Sequence, residues 1–193
     1  MDLSEVGRIV TTALTRKNSV QIYRHIDSLS VKCNFSDDRL YRYKLTATKQ
    51  DASKHTKIVC VIMQNPSYAN NDIADKSVNF LEQLIFESNF DYFNEVKKMI
   101  VVNQYAEIKT EDFIPNDNSI GKDNDNNIKQ AINESDIIIV AWGASNKYSE
   151  RKEFVHQLLR STSNKKILKT KKHPSLGSLK EEFLETYTSF NKS

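Results

Sequence analysis

Four continuous apolar runs punctuate the chain after its first quarter. They are Ile58-Val59-Cys60-Val61-Ile62-Met63, Met99-Ile100-Val101-Val102-Asn103, Asp136-Ile137-Ile138-Ile139-Val140-Ala141-Trp142-Gly143 and the shorter Lys166-Ile167-Leu168. They favour β-branched and aliphatic residues and do not alternate with polar positions, which is the pattern of strands buried on both faces. Between them the period changes to that of a helix. Ile73, Ser77, Leu81, Leu84 and Ile85 share one face over residues 73–87, and Ile128, Ala131 and Ile132 mark a second helix. Phe154, Val155, Leu158 and Leu159 mark a third, and Leu179, Phe183, Leu184 and Tyr187 a last one. Strand then helix, four times over, predicts a three-layer α/β/α sandwich around a central four-stranded parallel sheet.

The pattern upstream is different. Leu3, Val6, Ile9, Val10, Ala13 and Leu14 fall on one helical stripe, and a second short helix is expected through Val20, Tyr23 and Ile26. Residues 31–57 are polar, with Leu40-Tyr41-Arg42-Tyr43-Lys44-Leu45 alternating as an exposed or edge strand does. At 193 residues the chain fits a single domain. Residues 1–39 form an N-terminal helical extension in this reading, and residues 40–193 the α/β core.

Composition narrows the class. The apolar fraction is 38%, and no run approaches the ~18 apolar residues of a membrane helix. The start, Met1-Asp2-Leu3-Ser4-Glu5, lacks the basic-then-apolar pattern of a secretory signal. Cys33 and Cys60 are the two cysteines and give neither a metal-ligand spacing nor a disulfide framework. The expectation is a cytoplasmic protein with reduced thiols, no metal and no cofactor. Net charge is +3, from 28 basic and 25 acidic residues. Its distribution says more than its sum: Lys165, Lys166, Lys169, Lys171 and Lys172 crowd one segment, while Asp112, Asp117, Asp123 and Asp125 populate the middle. A basic cluster is either a phosphate footprint or a solvated strand edge.

The predicted strands end at Asn65-Pro66, Asn103, Trp142-Gly143 and His173-Pro174. Carboxyl ends of parallel strands gather at one rim, where open α/β sheets bind ligands. Met63-Gln64-Asn65-Pro66-Ser67 and Lys172-His173-Pro174-Ser175-Leu176-Gly177-Ser178 therefore face each other across that rim in this reading. Taken alone, each is weak: Asn-Pro is a common turn dipeptide, and a histidine before proline is often only a turn residue.

Together these strand ends resemble the motif order of the uracil-DNA glycosylase superfamily. Nearer still, the chain is similar to a family of small bacterial and phage proteins catalogued as a domain of unknown function. The resemblance rests on Asn65-Pro66-Ser67, Val102-Asn103, Gly121-Lys122-Asp123-Asn124-Asp125 and Ala141-Trp142-Gly143, and covers roughly residues 40–180. Related proteins occur on mobile cassettes, sometimes near inhibitors that mimic DNA. The first turn also resembles the Asn-Pro turn of mismatch-type glycosylases.

The resemblance implies a glycosylase fold and hydrolysis of the bond between an altered base, such as uracil, and deoxyribose in DNA. Such cleavage builds positive charge on the sugar and negative charge on the departing base, so it needs a held water on one side and a donor on the other. Asn65 is the expected water-positioning residue and His173, as neutral imidazole, the expected donor. An amide orients water but is a poor base, which predicts a slow enzyme. Gln64, Ser67, Tyr68, Asn103 and Trp142 are the candidates for holding the base, although Trp142 also suits plain packing. Ser175, Leu176, Gly177, Ser178, Lys171 and Lys172 are the candidates for DNA contact. Gly177 stands where the better-known enzymes carry a wedging leucine, with Leu176 and Leu179 beside it. Without a wedge, single-stranded or mismatched substrate is favoured. The same departures suit an alternative: a weak or inactive DNA-binding protein, or a target for a DNA-mimicking inhibitor. A nucleotide or nucleoside hydrolase is a third reading.

Overall fold

The computed structural model describes residues 21–51, 54–143 and 148–188. The expected helix over residues 3–14 lies outside them. In chain order the elements are β1 (Tyr23–Arg24), β2 (Leu29–Phe35), β3 (Arg42–Lys49), β4 (Lys57–Met63), β5 (Ile73–Ala74), α1 (Lys76–Glu82), β6 (Val96–Asn103), α2 (Asn124–Glu134), β7 (Ile137–Val140), α3 (Ser149–Arg160), β8 (Lys166–Thr170) and β9 (Leu184–Thr186).

The four apolar runs form β4, β6, β7 and β8, and all four are parallel neighbours in the order β6-β4-β7-β8. The sheet they belong to is larger than four strands and mixed. It has seven strands in the order β2-β3-β6-β4-β7-β8-β9, because β2 and β3 add antiparallel at one edge and β9 at the other. Chain direction across the sheet reverses at β4: β6 lies on one side of it, β7 and β8 on the other. A crevice opens at such a switch point, beyond the strand carboxyl ends.

Side chains alternate across the two sheet faces. Val59, Val61, Met99, Val101, Ile139 and Leu168 pack with Leu81, Leu84 and Ile85, which places one core on the α1 side. Cys60, Ile62, Ile100, Val102, Ile138 and Val140 pack with Ile128, Ile132, Val155 and Leu159, which places the other under α2 and α3. Most of these residues are fully buried, so the continuous runs have the meaning read from them.

Several expectations are corrected. The short helix through Tyr23 and Ile26 is instead β1, paired antiparallel with β5. The helical stretch from Ile73 begins only at Lys76, because Asp75 caps it, its carboxylate accepting the Val78 N–H at 2.8 Å. The Leu40–Leu45 alternation belongs to β3, an interior strand: β2 shields it from the edge. The last predicted helix is a single 3-10 turn, Glu181–Phe183, running into β9. Phe183 and Leu184 are buried there, Phe183 edge-on to Phe80 at 5.1 Å, so their apolar pair served a strand entry rather than a helix face. The described part of residues 1–39 is likewise strand and turn rather than helix.

Candidate active site at the carboxyl rim

Each strand end is built by its own local chemistry. After β4, proline forces Asn65 away from helical backbone, and the turn is stitched to the segment beyond β6. The Gln104 N–H donates to Met63 O (2.9 Å), Tyr105 N–H to Gln64 O (3.0 Å) and Lys109 N–H to Pro66 O (3.0 Å). The Asn65 side chain closes the clamp, its Nδ2 donating to Lys109 O at 2.7 Å and Pro66 O at 3.1 Å. With the amide nitrogen held, Oδ1 has a fixed direction and no recorded partner among the described residues. Gln64, Ser67 and Tyr68 are half-buried along the same turn, and the Tyr68 hydroxyl donates to Gln21 O at 2.7 Å.

After β8, Pro174 opens a 3-10 turn, Pro174–Leu176, and His173 caps it. The Ser175 N–H donates to His173 Nδ1 at 3.2 Å, and the Ser175 hydroxyl lies 2.9 Å from the same atom. A backbone N–H only donates, so Nδ1 is an acceptor and the ring proton sits on Nε2. Burial holds the imidazole below its ordinary pKa, and the Asp75 charge opposes this in part. His173 is thus a neutral ring with a single N–H to offer.

Two glycines allow close packing around the His-Pro-Ser turn. Gly143, at φ +74°, follows β7 and lies flat against His173: a Cβ there would stand 3.0 Å from the His173 nitrogen. Gly177 is pressed on Phe80 of α1, where a Cβ would fall 2.3 Å from the ring. No wedging side chain fits at 177. Leu176 and Leu179 instead stand exposed, at 68% and 52%.

Asn103 ends β6 on the α1 side by strand alternation, as Thr170 does on β8. Both are buried, and among the described residues neither the Asn103 amide nor the Thr170 hydroxyl has a partner. The Gly-x-x-Asn-Asp segment braces this place from behind. Gly121, at φ +83°, lies against Tyr41 and Tyr43. Asn124 Nδ2 then donates to Asn103 O (3.0 Å) and Gln104 O (3.1 Å), and Asp125 pairs with Arg151 at 2.5 Å.

Trp142 is not part of this group. It faces the α2–α3 side, where it packs against Val155 and tilts over His156 at 5.9 Å. Lys171, Lys172 and Ser178 are exposed beside the His-Pro-Ser turn, and Ser175 is half-buried within it. The other three clustered lysines are engaged elsewhere. Lys165 donates to the Asn133 and Ser135 carbonyls, Lys166 lies over Tyr92 at 3.8 Å, and Lys169 pairs with Glu185 at 3.1 Å.

Two residues of the site were not read from sequence. Asp75 is buried, and its charge acts on His173, Tyr68 and Arg42 alike, linking the first turn to the last. An Asp directly before a helical run is a start signal, so it was findable. Arg42 is fully buried, its Nη1 donating to Ala69 O at 2.8 Å just beyond the Asn-Pro turn. A charged residue in a polar stretch gave no such hint.

A cavity of about 1110 Å³ lies elsewhere, between the β2–β3 turn and the start of α2. Tyr41, Tyr43, Asp38, Asp117, Asp123 and Asp125 line it, with Lys122 beside them. Its carboxylates make it a poor place for phosphate. No group of His, Cys, Asp and Glu among the described residues is arranged to hold a metal ion, and no described helix is long and apolar enough to cross a membrane.

Residues 42–176, more than two thirds of the chain, match the family described as "Protein of unknown function (DUF1643)", and the protein belongs to that family. No curated protein and no solved structure matches the chain.

Proposed function

We propose that the protein is a DNA glycosylase-like hydrolase that releases uracil or a related altered base from DNA, acting slowly and preferring single-stranded or mismatched substrate. The observation that carries this reading is the state of His173. Its Nδ1 accepts from Ser175, its Nε2 bears the proton, and burial disfavours the cation. A neutral N–H donor is what a departing pyrimidine anion needs, because it stabilises charge without surrendering a proton outright. Asn65 holds water through Oδ1, which its two Nδ2 bonds keep in place. Asn103 offers a donor and an acceptor in one plane on the α1 side of the sheet, both unpartnered among the described residues. Exposed Lys171 and Lys172 suit the DNA backbone.

The test is base release from a uracil-containing oligonucleotide. Asn65→Ala lowers the rate by about 10²–10⁴, and His173→Ala by about 10²–10³. Activity unchanged in both variants ends the assignment.

One observation favours a second reading. Asn65 Nδ2 is engaged by two backbone carbonyls and the position holds no carboxylate, which suits a protein that binds altered DNA, or a DNA-mimicking inhibitor, without cutting. Tight binding of either, with no release from uracil, hypoxanthine, mismatched thymine or hypermodified pyrimidine, selects it.

A further inference from the structure

His25 lies just after β1, and each of its ring nitrogens contacts an oxygen. Nδ1 is 2.6 Å from Glu82 Oε1, and Nε2 is 2.9 Å from the carbonyl oxygen of Asn70. A carbonyl only accepts, so Nε2 carries a proton. The Ile26 N–H donates to Glu82 Oε2 at 3.2 Å, so this oxygen accepts, and a carboxylate anion accepts at Oε1 too. Opposite a carboxylate anion, Nδ1 carries a proton as well. With both nitrogens donating, the ring is an imidazolium. The pair is largely shielded from water: the side chains are 8% and 0% exposed.

This pair sits at a junction. Tyr23 and Arg24 pair with Ala74 and Ile73, Asn79 of α1 donates to Arg24 O at 3.2 Å, and Tyr68 donates to Gln21 O. Residues 21–26 therefore run as a strap along residues 68–74, the connection from the Asn-Pro turn to α1.

We propose that this strap is latched by the His25–Glu82 ion pair, and that loss of one imidazolium proton releases it from residues 68–74 and α1. Once neutral, the ring has one N–H for two acceptors, and either Glu82 or Asn70 O loses its donor in a buried place. Glu82 of α1 is the charged group acting on His25, joined by the carbonyls of Asn70 and Ile73 from the loop and β5. Burial alone disfavours the cation, and these contacts more than offset it, so the pKa lies above the ordinary 6.5. The sign follows from that direction. The latch is complete below 6.5 and is lost as pH rises through the folded-state pKa. This proposal does not depend on glycosylase activity.

The experiment combines ¹⁵N-imidazole NMR and amide hydrogen exchange on the full chain, from about pH 6 to about pH 9. The expected result is a doubly protonated His25 at the acid end. Exchange at the Tyr23–Ile26 amides, corrected for its intrinsic pH dependence, then rises by about tenfold per pH unit above the His25 pKa. Glu82→Gln lowers the His25 titration, and His25→Phe leaves the strap loose at every pH. A single-proton His25 tautomer at about pH 6, or corrected strap exchange that stays flat in the wild type, overturns the proposal. If His25→Phe does not fold, the wild-type and Glu82→Gln measurements still decide.

Discussion

His173 and His25 show how environment sets the charge of one residue type. Burial dominates at His173 and lowers its pKa, whereas Glu82 and the backbone carbonyls around His25 outweigh burial and raise its pKa. Their effects on stability have opposite signs. A histidine with a depressed folded-state pKa contributes fully above 6.5, and its contribution falls as pH drops below that value toward the folded-state pKa. His173→Gln therefore flattens the acid side of a plot of unfolding free energy against pH, measured by urea titration. Gly177 is a different kind of constraint, since its φ of −70° suits any residue. What forbids a side chain is Phe80, so Gly177→Ala destabilises by about 1–3 kcal/mol through overpacking. Combining it with Phe80→Leu recovers part of the loss, a coupling that a double-mutant cycle measures.

At the scale of elements, α1 joins the two halves of the site. Its cap is Asp75, its Phe80 faces Gly177, and its Glu82 takes the His25 proton donor. Asp75→Ala removes the cap and costs about 0.5–2 kcal/mol, while Asp75→Asn keeps the cap nearly intact. Asp75→Asn also removes the charge that raises His173. The His173 titration, followed by NMR, moves further down in that variant. A cap with no electrostatic role would leave the titration where it was. Helix α2 is coupled to the site through Asn124, whose amide holds the carbonyls of Asn103 and Gln104. The Gly-x-x-Asn-Asp segment therefore reads as a brace for the end of β6 rather than a contact surface of its own.

Across the whole molecule, charge is segregated around the rim. Lys171 and Lys172 stand exposed beside His173, while the acidic cavity opens toward the start of α2. DNA binding is expected to follow the first and avoid the second. Replacing Lys171 and Lys172 with Gln reduces the slope of log affinity against log salt by about 1 per lysine. Neutralising Asp117 and Asp123 leaves that slope unchanged. Both are measured by fluorescence anisotropy on a single-stranded oligonucleotide.

The parts legible in sequence are those whose signal is local. Continuous β-branched runs such as Ile58–Met63 and Ile137–Val140 marked strands buried on both faces, because nothing but a double-faced core tolerates them. Asn65-Pro66 and His173-Pro174 marked turns, because proline restricts the residue before it wherever it occurs. The resemblance to a family of unknown function added what the residues alone did not, and the match over residues 42–176 bears it out.

What pairs with what was settled only by the tertiary structure. Tyr23–Arg24 and Leu184–Thr186 are too short to signal a strand, and they take that form because β5 and β8 present open edges to them. Trp142 shares a strand end with Ala141, yet alternation sends it to the opposite face from Asn103. Arg42 and the His25–Glu82 pair owe their character to partners 27 or more positions away, as does the action of Asp75 on His173. Burial and charge pairing depend on the whole packed chain, so no window of residues contains them.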